Sequence, residues 1–458
     1  MSREQRLVLA IAVLASFVTF LDGSIINVAL PAISKELGGG ITVQQWVVDA
    51  YLITLGTLIL LAGSLSDTFG RMLILRVGLV GFGVASLLIA LSPNAEFLIV
   101  LRAVQGIAGA LLVPSSLALI ISSFSGLAQS KAIGAWTGLT SASFLAGPVI
   151  GGLFIDVAHS WRPIFAINVL PIVATLILMA VLKQKNVRPP GTSIDWFGAV
   201  LGIIGLGGPV FALIEQANLG WSSPRIFVPL VVGIVSLVAF ILRQRTVKNP
   251  MIPLGLFTVR NFSVGNVSTF FIYGAISLGS FVLTVYLQEV AGFPATLAGL
   301  ATLPVSLGNI FLSRWFGGLS GKYGPRLFMG LGPIVGGLGY LLMLTTGQHV
   351  NYFTQVLPGI LLFTVGLSAT VSPLTSAILG SIPPERSGIG SAINNAVSRI
   401  AGLIVTAMIG VIVGERLAPD SFHRALIVTA VLLIVGGVVS LVGIQNASKV
   451  PAASAQGE

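Results

Sequence analysis

Gly63-Ser64-Leu65-Ser66-Asp67-Thr68-Phe69-Gly70-Arg71 follows one long apolar run, and Gly317-Gly318-Leu319-Ser320-Gly321-Lys322-Tyr323-Gly324-Pro325-Arg326 follows another. Both read as a short small-residue turn, then glycine, then a base. Glycine suits such a turn because it carries no Cβ. Outward from these two points, runs of roughly 20 apolar residues, enough to cross a hydrocarbon core, recur along the chain. Fourteen spans are predicted between residues 7 and 445. Eight of them lie between the two turns, as expected for two six-span repeats with two spans inserted. The prediction is an all-α integral membrane protein. An N-terminal six-helix bundle covers 1–188, two linker spans 189–249, a C-terminal bundle 250–445 and a disordered polar tail 446–458. Pro189-Pro190-Gly191 supplies a helix stop at the first boundary.

Composition agrees. Hydrophobic residues make up 55% and charged residues 8%, against about 25% charge in soluble domains. The first span is too long, and its basic start too weak, for a cleaved signal peptide. The net charge of +10 is not a polyanion site. About 16 Lys and Arg fall on loops and flanks of the N-terminal side and about 5 on the other, so the bias sets topology. It places both termini in the cytoplasm and gives no reason to expect a nucleic-acid partner. With no cysteine there are no disulfides or thiolate metal sites. His159, His349 and His423 lie in separate loops and assemble no metal cluster or catalytic set. Gly321-Lys322 lacks the spaced first glycine of a phosphate loop. An enzyme and a nucleotide-driven pump are therefore both disfavoured, and no cofactor or metal is expected.

Charges inside spans are costly and usually functional. Asp22 sits in span 1 and Arg102 in span 4. Counting helical rise from the outer ends puts them roughly 12 and 9 Å deep. The two charges lie at similar depth, and Arg102 has a second open reading, snorkelling to the outer headgroups. The second bundle is acid-poor; its interior polar candidates are Asn394, Asn395 and Arg399 on span 13, with Glu289 at the outer end of span 9. Arg399 has three open readings: binding an anionic group, countering Asp22 across a cavity, or tying carbonyls of a kinked helix. Trp46, Asp49 and Tyr51 open span 2, either as a site for an organic cation or as part of the interfacial aromatic belt.

Two six-span halves with this loop signature resemble the major facilitator superfamily, whose halves are parallel repeats. The extra central spans and the run Leu21-Asp22-Gly23-Ser24-Ile25-Ile26-Asn27-Val28-Ala29-Leu30-Pro31 resemble its fourteen-span drug:proton antiporter family. Trp161-Arg162-Pro163-Ile164-Phe165-Ala166-Ile167-Asn168, Asp195-Trp196-Phe197-Gly198 and Tyr286-Leu287-Gln288 match as well, so the likeness spans essentially the whole chain. That family exports quaternary ammonium compounds, dyes and other lipophilic drugs.

The resemblance implies a role for each matching segment. Gly63, Asp67, Gly70 and Arg71 match its gating motif, with Thr68 and Met72 standing where the family has bases. Leu101-Arg102-Ala103-Val104-Gln105-Gly106 resembles its intramembrane arginine motif, and Gly147-Pro148-Val149-Ile150-Gly151-Gly152 its antiporter motif. Spans 1 and 4 then face one cavity, which makes Asp22 and Arg102 the expected proton-coupling pair. Asp22, Asn27, Trp46, Asp49, Gln105, Tyr286, Gln288, Asn394 and Arg399 are the expected substrate contacts. The implied protein is a monomeric exporter in a bacterial cytoplasmic membrane, exchanging lipophilic cationic or neutral drugs for protons. Export of a cell-made lipid or metabolite, or a sensor derived from a transporter, are the alternatives.

Overall fold

The structure, a computed structural model, describes residues 1–182, 194–247, 249–347, 349–383, 386–414 and 416–446. The expected stop at Pro189-Pro190-Gly191 and the polar tail beyond Asn446 lie outside these. Among the described residues, fourteen helices are long and apolar enough to cross a membrane. Spans 1 to 6 are Arg3–Leu37, Gly40–Ser66, Arg71–Ala90, Ala95–Ser123, Lys131–Ala158 and Arg162–Leu182. Spans 7 and 8 are Trp196–Leu219 and Pro224–Thr246. Spans 9 to 14 are Arg260–Glu289, Ala295–Tyr323, Pro325–Thr345, Tyr352–Leu379, Ser387–Val413 and Pro419–Gly443.

The two glycine-rich stretches are not loops. Helix continues through Gly63 to Phe69 and again through Gly317 to Tyr323. Each turn is a single glycine: Gly70 at φ 96° and Gly324 at φ 87°, conformations that a side chain disfavours. The Gly70 N–H donates to the Ser66 carbonyl and the Gly324 N–H to the Ser320 carbonyl. The repeat seen in sequence thus reappears as the same one-residue joint.

Spans 1–6 pack into one bundle and spans 9–14 into a second; spans 7 and 8 pack on each other, and span 7 lies against spans 2 and 13. Asp195 fixes the start of span 7. Its carboxylate accepts from the Gly198 N–H at 2.8 Å, Arg243 Nε at 2.7 Å and Gln244 Nε2 at 3.2 Å. Burial opposes its ionisation, but these donors outweigh it and hold its carboxyl below the usual carboxylate range. A carboxyl that ionises more readily folded than unfolded stabilises above the ordinary range, and that contribution is lost as pH falls through the lowered value. Asp195→Ala should cost about 0.5–2 kcal/mol, as for other lost N-caps. It should also flatten the acid side of the melting profile of purified protein; an unchanged profile would contradict this.

The bundles meet along spans 2 and 13, spans 5 and 10, and spans 1 and 9. At the membrane face away from the N-terminus (the far face), one apolar cluster runs through both bundles, including Ile25, Leu30 and Trp161 with Leu278, Tyr286 and Phe422. Toward the N-terminal face the core separates into a first-bundle cluster around Leu75 and Phe82 and a second-bundle cluster around Phe262 and Ile378. The apolar core is thus continuous across the bundles at the far face and divided toward the N-terminal one, where Leu60 of span 2 still packs on the second-bundle cluster.

Candidate functional site: a buried charge network beneath a closed far face

Asp22 is fully buried on span 1, where a lone charge would be costly. Arg102 Nη1 donates to Asp22 Oδ2 at 2.6 Å, with both side chains about 1% exposed. Span 4 brings Gln105 onto the same face one turn later, and its Nε2 donates to Asp22 Oδ1 at 3.0 Å and to Ser86 Oγ at 2.8 Å. Arg102 also donates through Nε to the Val47 carbonyl at 2.9 Å and through Nη1 to Gln105 Oε1 at 2.6 Å. Its guanidinium carbon lies 4.4 Å from the Tyr51 ring centroid. The pair is thus buried with most donors and acceptors satisfied, which buried ion pairs require.

A further member escaped the sequence reading. Span 6 is broken between Arg162–Ala166 and Val169–Leu182, and Asn168 sits in the break. From there its Nδ2 reaches Asp22 Oδ1 at 3.2 Å. Asn168 belongs to the quoted run Trp161–Asn168, but nothing local marks it as a partner of Asp22. Ser86 carries no sequence signal at all.

The other expected substrate residues divide. Gln105 joins the network, and Asn27 is half-buried one turn beyond Asp22. Trp46 faces a linker helix, donating to Glu215 Oε1 at 2.7 Å. Asp49 is fully buried, and neither carboxyl oxygen has a hydrogen-bond partner. Tyr286 is stacked on Phe422 at 3.8 Å with its hydroxyl on the Gly347 carbonyl, which is a packing role. Asn394 ties span 13 to span 9 through Asn266 and Thr269. Arg399 approaches the Phe20 ring at 5.9 Å. Tyr286, Trp46 and Asn394 therefore do not converge with Asp22.

The gating residues split similarly. A Cβ on Gly63 would meet nothing within 4 Å; the side chain of Asp67 is not described. Arg71 opens span 3 directly after the Gly70 joint. In span 5 the small residues are required. A Cβ on Gly147 would lie 2.1 Å from Ser24 Oγ, and one on Gly151 2.6 Å from Ile25 Cγ1. One on Gly152 would come 2.5 Å from Thr296 Cα, and one on Gly299 2.2 Å from the Pro148 carbonyl oxygen. Spans 5 and 10 thus cross almost backbone to backbone.

Polar groups complete the far-face seal. Asp156, at the end of span 5, accepts from the Ala295 and Thr296 N–H groups at 3.1 and 2.8 Å, capping the first turn of span 10 in the other bundle. Gln44 Nε2 donates to Glu289 Oε1 at 2.8 Å, and Gln45 Nε2 to the Thr406 and Ala407 carbonyls at 2.8 and 2.9 Å. Gln288 Nε2 donates to the Val28 carbonyl at 3.2 Å. Every one of these bonds crosses between bundles. Hydrogen bonds to charged groups are worth about 1.5–3 kcal/mol each. Asp156→Ala should therefore widen the distance distribution between spin labels at the far ends of spans 5 and 10. An unchanged distribution would remove Asp156 from the seal.

Comparison with known proteins settles the family. The sequence pattern of the Major Facilitator Superfamily matches residues 12–406. The chain belongs to that superfamily. It is a multi-pass membrane transporter and not an enzyme. It is 32% identical over 415 residues to the methylenomycin A resistance protein of Bacillus subtilis, covering 89% of this chain and 87% of that one. It is 31% identical over 444 residues to the multidrug resistance protein Stp of Mycobacterium tuberculosis, covering 93% and 81%. Among solved structures, a POT family transporter in complex with 5-aminolevulinic acid superposes with TM-score 0.73 at 15% identity, over 96% of each chain. That last likeness concerns the fold alone.

Proposed function

We propose that this transporter exports lipophilic drugs from the bacterial cytoplasm in exchange for protons, working as a monomer by alternating access. Export is supported by relatives named for drug and antibiotic resistance. The N-terminal face is the cytoplasmic one, on the excess of Lys and Arg in its loops. The apolar core that runs through both bundles only at the opposite face supports reading this arrangement as the cytoplasm-facing one, the state that would load substrate.

Coupling rests on one observation: the buried pair of Asp22 and Arg102, placed just beneath the outer seal. A buried pair contributes little net stability compared with apolar packing, so a switch explains its presence better than a structural role. Once the outer face is open, a proton arriving from outside neutralises Asp22 and keeps Arg102, Gln105 and Asn168 released from it. Spans 1, 4 and 6 can then repack, and span 1 carries the change to Gly147 and Gly151 of span 5, which lie on Ser24 and Ile25. A ligand or proton shifts such an equilibrium only through differential affinity for the two states. Asp22 supplies it, being ionised in the paired arrangement and neutral in the released one.

The test is export of a fluorescent lipophilic dye from drug-sensitive bacteria expressing the protein. Dye should leave energised cells and stop leaving when a protonophore collapses the gradient. Export that persists without the gradient would contradict proton coupling.

A further inference from the structure

We infer that Arg399 is the docking point for an anionic group on the exported molecule, so that the site favours lipophilic monoanions such as aromatic carboxylates; this rests on the export reading above. Arg102 and Arg399 are both arginines inside spans, but only the first is satisfied. Arg102 makes three hydrogen bonds, one of them its ion pair with Asp22. Arg399 Nε is sealed from solvent without an acceptor, and no hydrogen bond leaves the rest of its guanidinium among the described residues. The described ion pairs are Arg102–Asp22, Arg162–Glu36 and Arg243–Asp195, and none involves Arg399.

Among the described residues no acid is placed to answer it. Glu289 and Asp420 stand at the far-face ends of spans 9 and 14, and Glu289 is bonded to Gln44. Asp22 is committed to Arg102, Gln105 and Asn168. Asp49 lies seven residues before Gly56, about 10 Å away along span 2, and it is Gly56 that lies against the Arg399 Cβ. An unpaired guanidinium at this depth is expensive and marks a substrate path. Its planar fork of donors matches a carboxylate in two parallel bonds, which an ammonium cannot reproduce.

The surroundings fit the rest of such a molecule. Across from span 13 the Arg399 guanidinium faces Phe20 of span 1, and Phe20 lies 5.6 Å from Phe144 of span 5. Phe144 is 46% exposed and so available to an apolar body. A lipophile bound here would place its anion on Arg399 and its rings against Phe20 and Phe144.

Binding of three probes to the full chain in lipid nanodiscs tests this: 1-pyrenebutyrate, its methyl ester, and a pyrenylbutyl trimethylammonium cation. Wild type should bind the acid about ten-fold more tightly than the ester, as expected for a charge-assisted pair. Arg399→Gln should erase that preference, and Arg399→Lys should retain part of it, with melting curves confirming that both variants are folded. Equal affinity for acid and ester in the wild type, or an acid preference that survives Arg399→Gln, overturns the inference. If all three probes bind equally, or none binds, the anion site falls, while dye efflux from energised cells decides the export reading separately.

Discussion

Asp22→Asn is expected to abolish pH-gradient-driven efflux while leaving the protein inserted and folded. Asparagine keeps the size of the side chain and one oxygen, which can accept from Gln105 and Asn168, while its amide NH2 would stand where a carboxylate oxygen now accepts from Arg102. What it loses is the capacity to carry a proton and the charge that pairs with Arg102. Substrate binding from the open face and downhill exchange should therefore survive better than uphill export. Side-by-side measurement of both separates a coupling defect from misfolding, because misfolding would remove the two together. Full uphill export by the variant would refute the assignment of Asp22.

Gly152→Val should have the second large effect, through geometry instead of charge. The new side chain would start 2.5 Å from Thr296 Cα and 2.6 Å from the Ala295 carbonyl oxygen. Those are backbone atoms, so no rotamer relieves the clash and spans 5 and 10 must separate. Overpacking of this kind costs about 1–3 kcal/mol, an equilibrium shift of about 5- to 150-fold toward the far-face-open arrangement. The chain has no cysteine, so a single cysteine at Val28, 1% exposed, reports the change cleanly. A membrane-impermeant thiol reagent should label Val28→Cys faster when Gly152→Val is also present, and export should fall. Unchanged labelling would mean that the crossing of spans 5 and 10 does not govern closure.

The fold was legible because a membrane leaves few options: apolar length gives the spans, and the paired glycine-rich stretches give the repeat. The stretches themselves were misread as loops, since small residues look like turn formers while helix continues in fact to Gly70 and Gly324. Asp22 and Arg102 stood out as charges in apolar runs, and depth counting brought them to similar levels. Their neighbours were harder. Asn168 reaches Asp22 only because span 6 breaks before Val169, and Ser86 is an ordinary small residue until Gln105 turns toward it.

The far-face seal was the least readable part. It joins side chains to backbone groups hundreds of residues away, as when Gln45 meets Thr406, and such bonds leave no local periodicity. Trp46 shows the converse. Its aromatic character suggested a substrate or belt residue, but the two inserted spans supply its partner in Glu215. Nothing in the sequence near Trp46 announces that neighbour.

Protonation of Asp22 is the step proposed to drive export. It is tested most directly in proteoliposomes by recording substrate and proton movement together after a pH jump. The wild type should move lipophile against its gradient while protons flow the other way, and Asp22→Asn should show neither coupled flux. Substrate movement in the wild type that is indifferent to the imposed pH gradient would contradict the account.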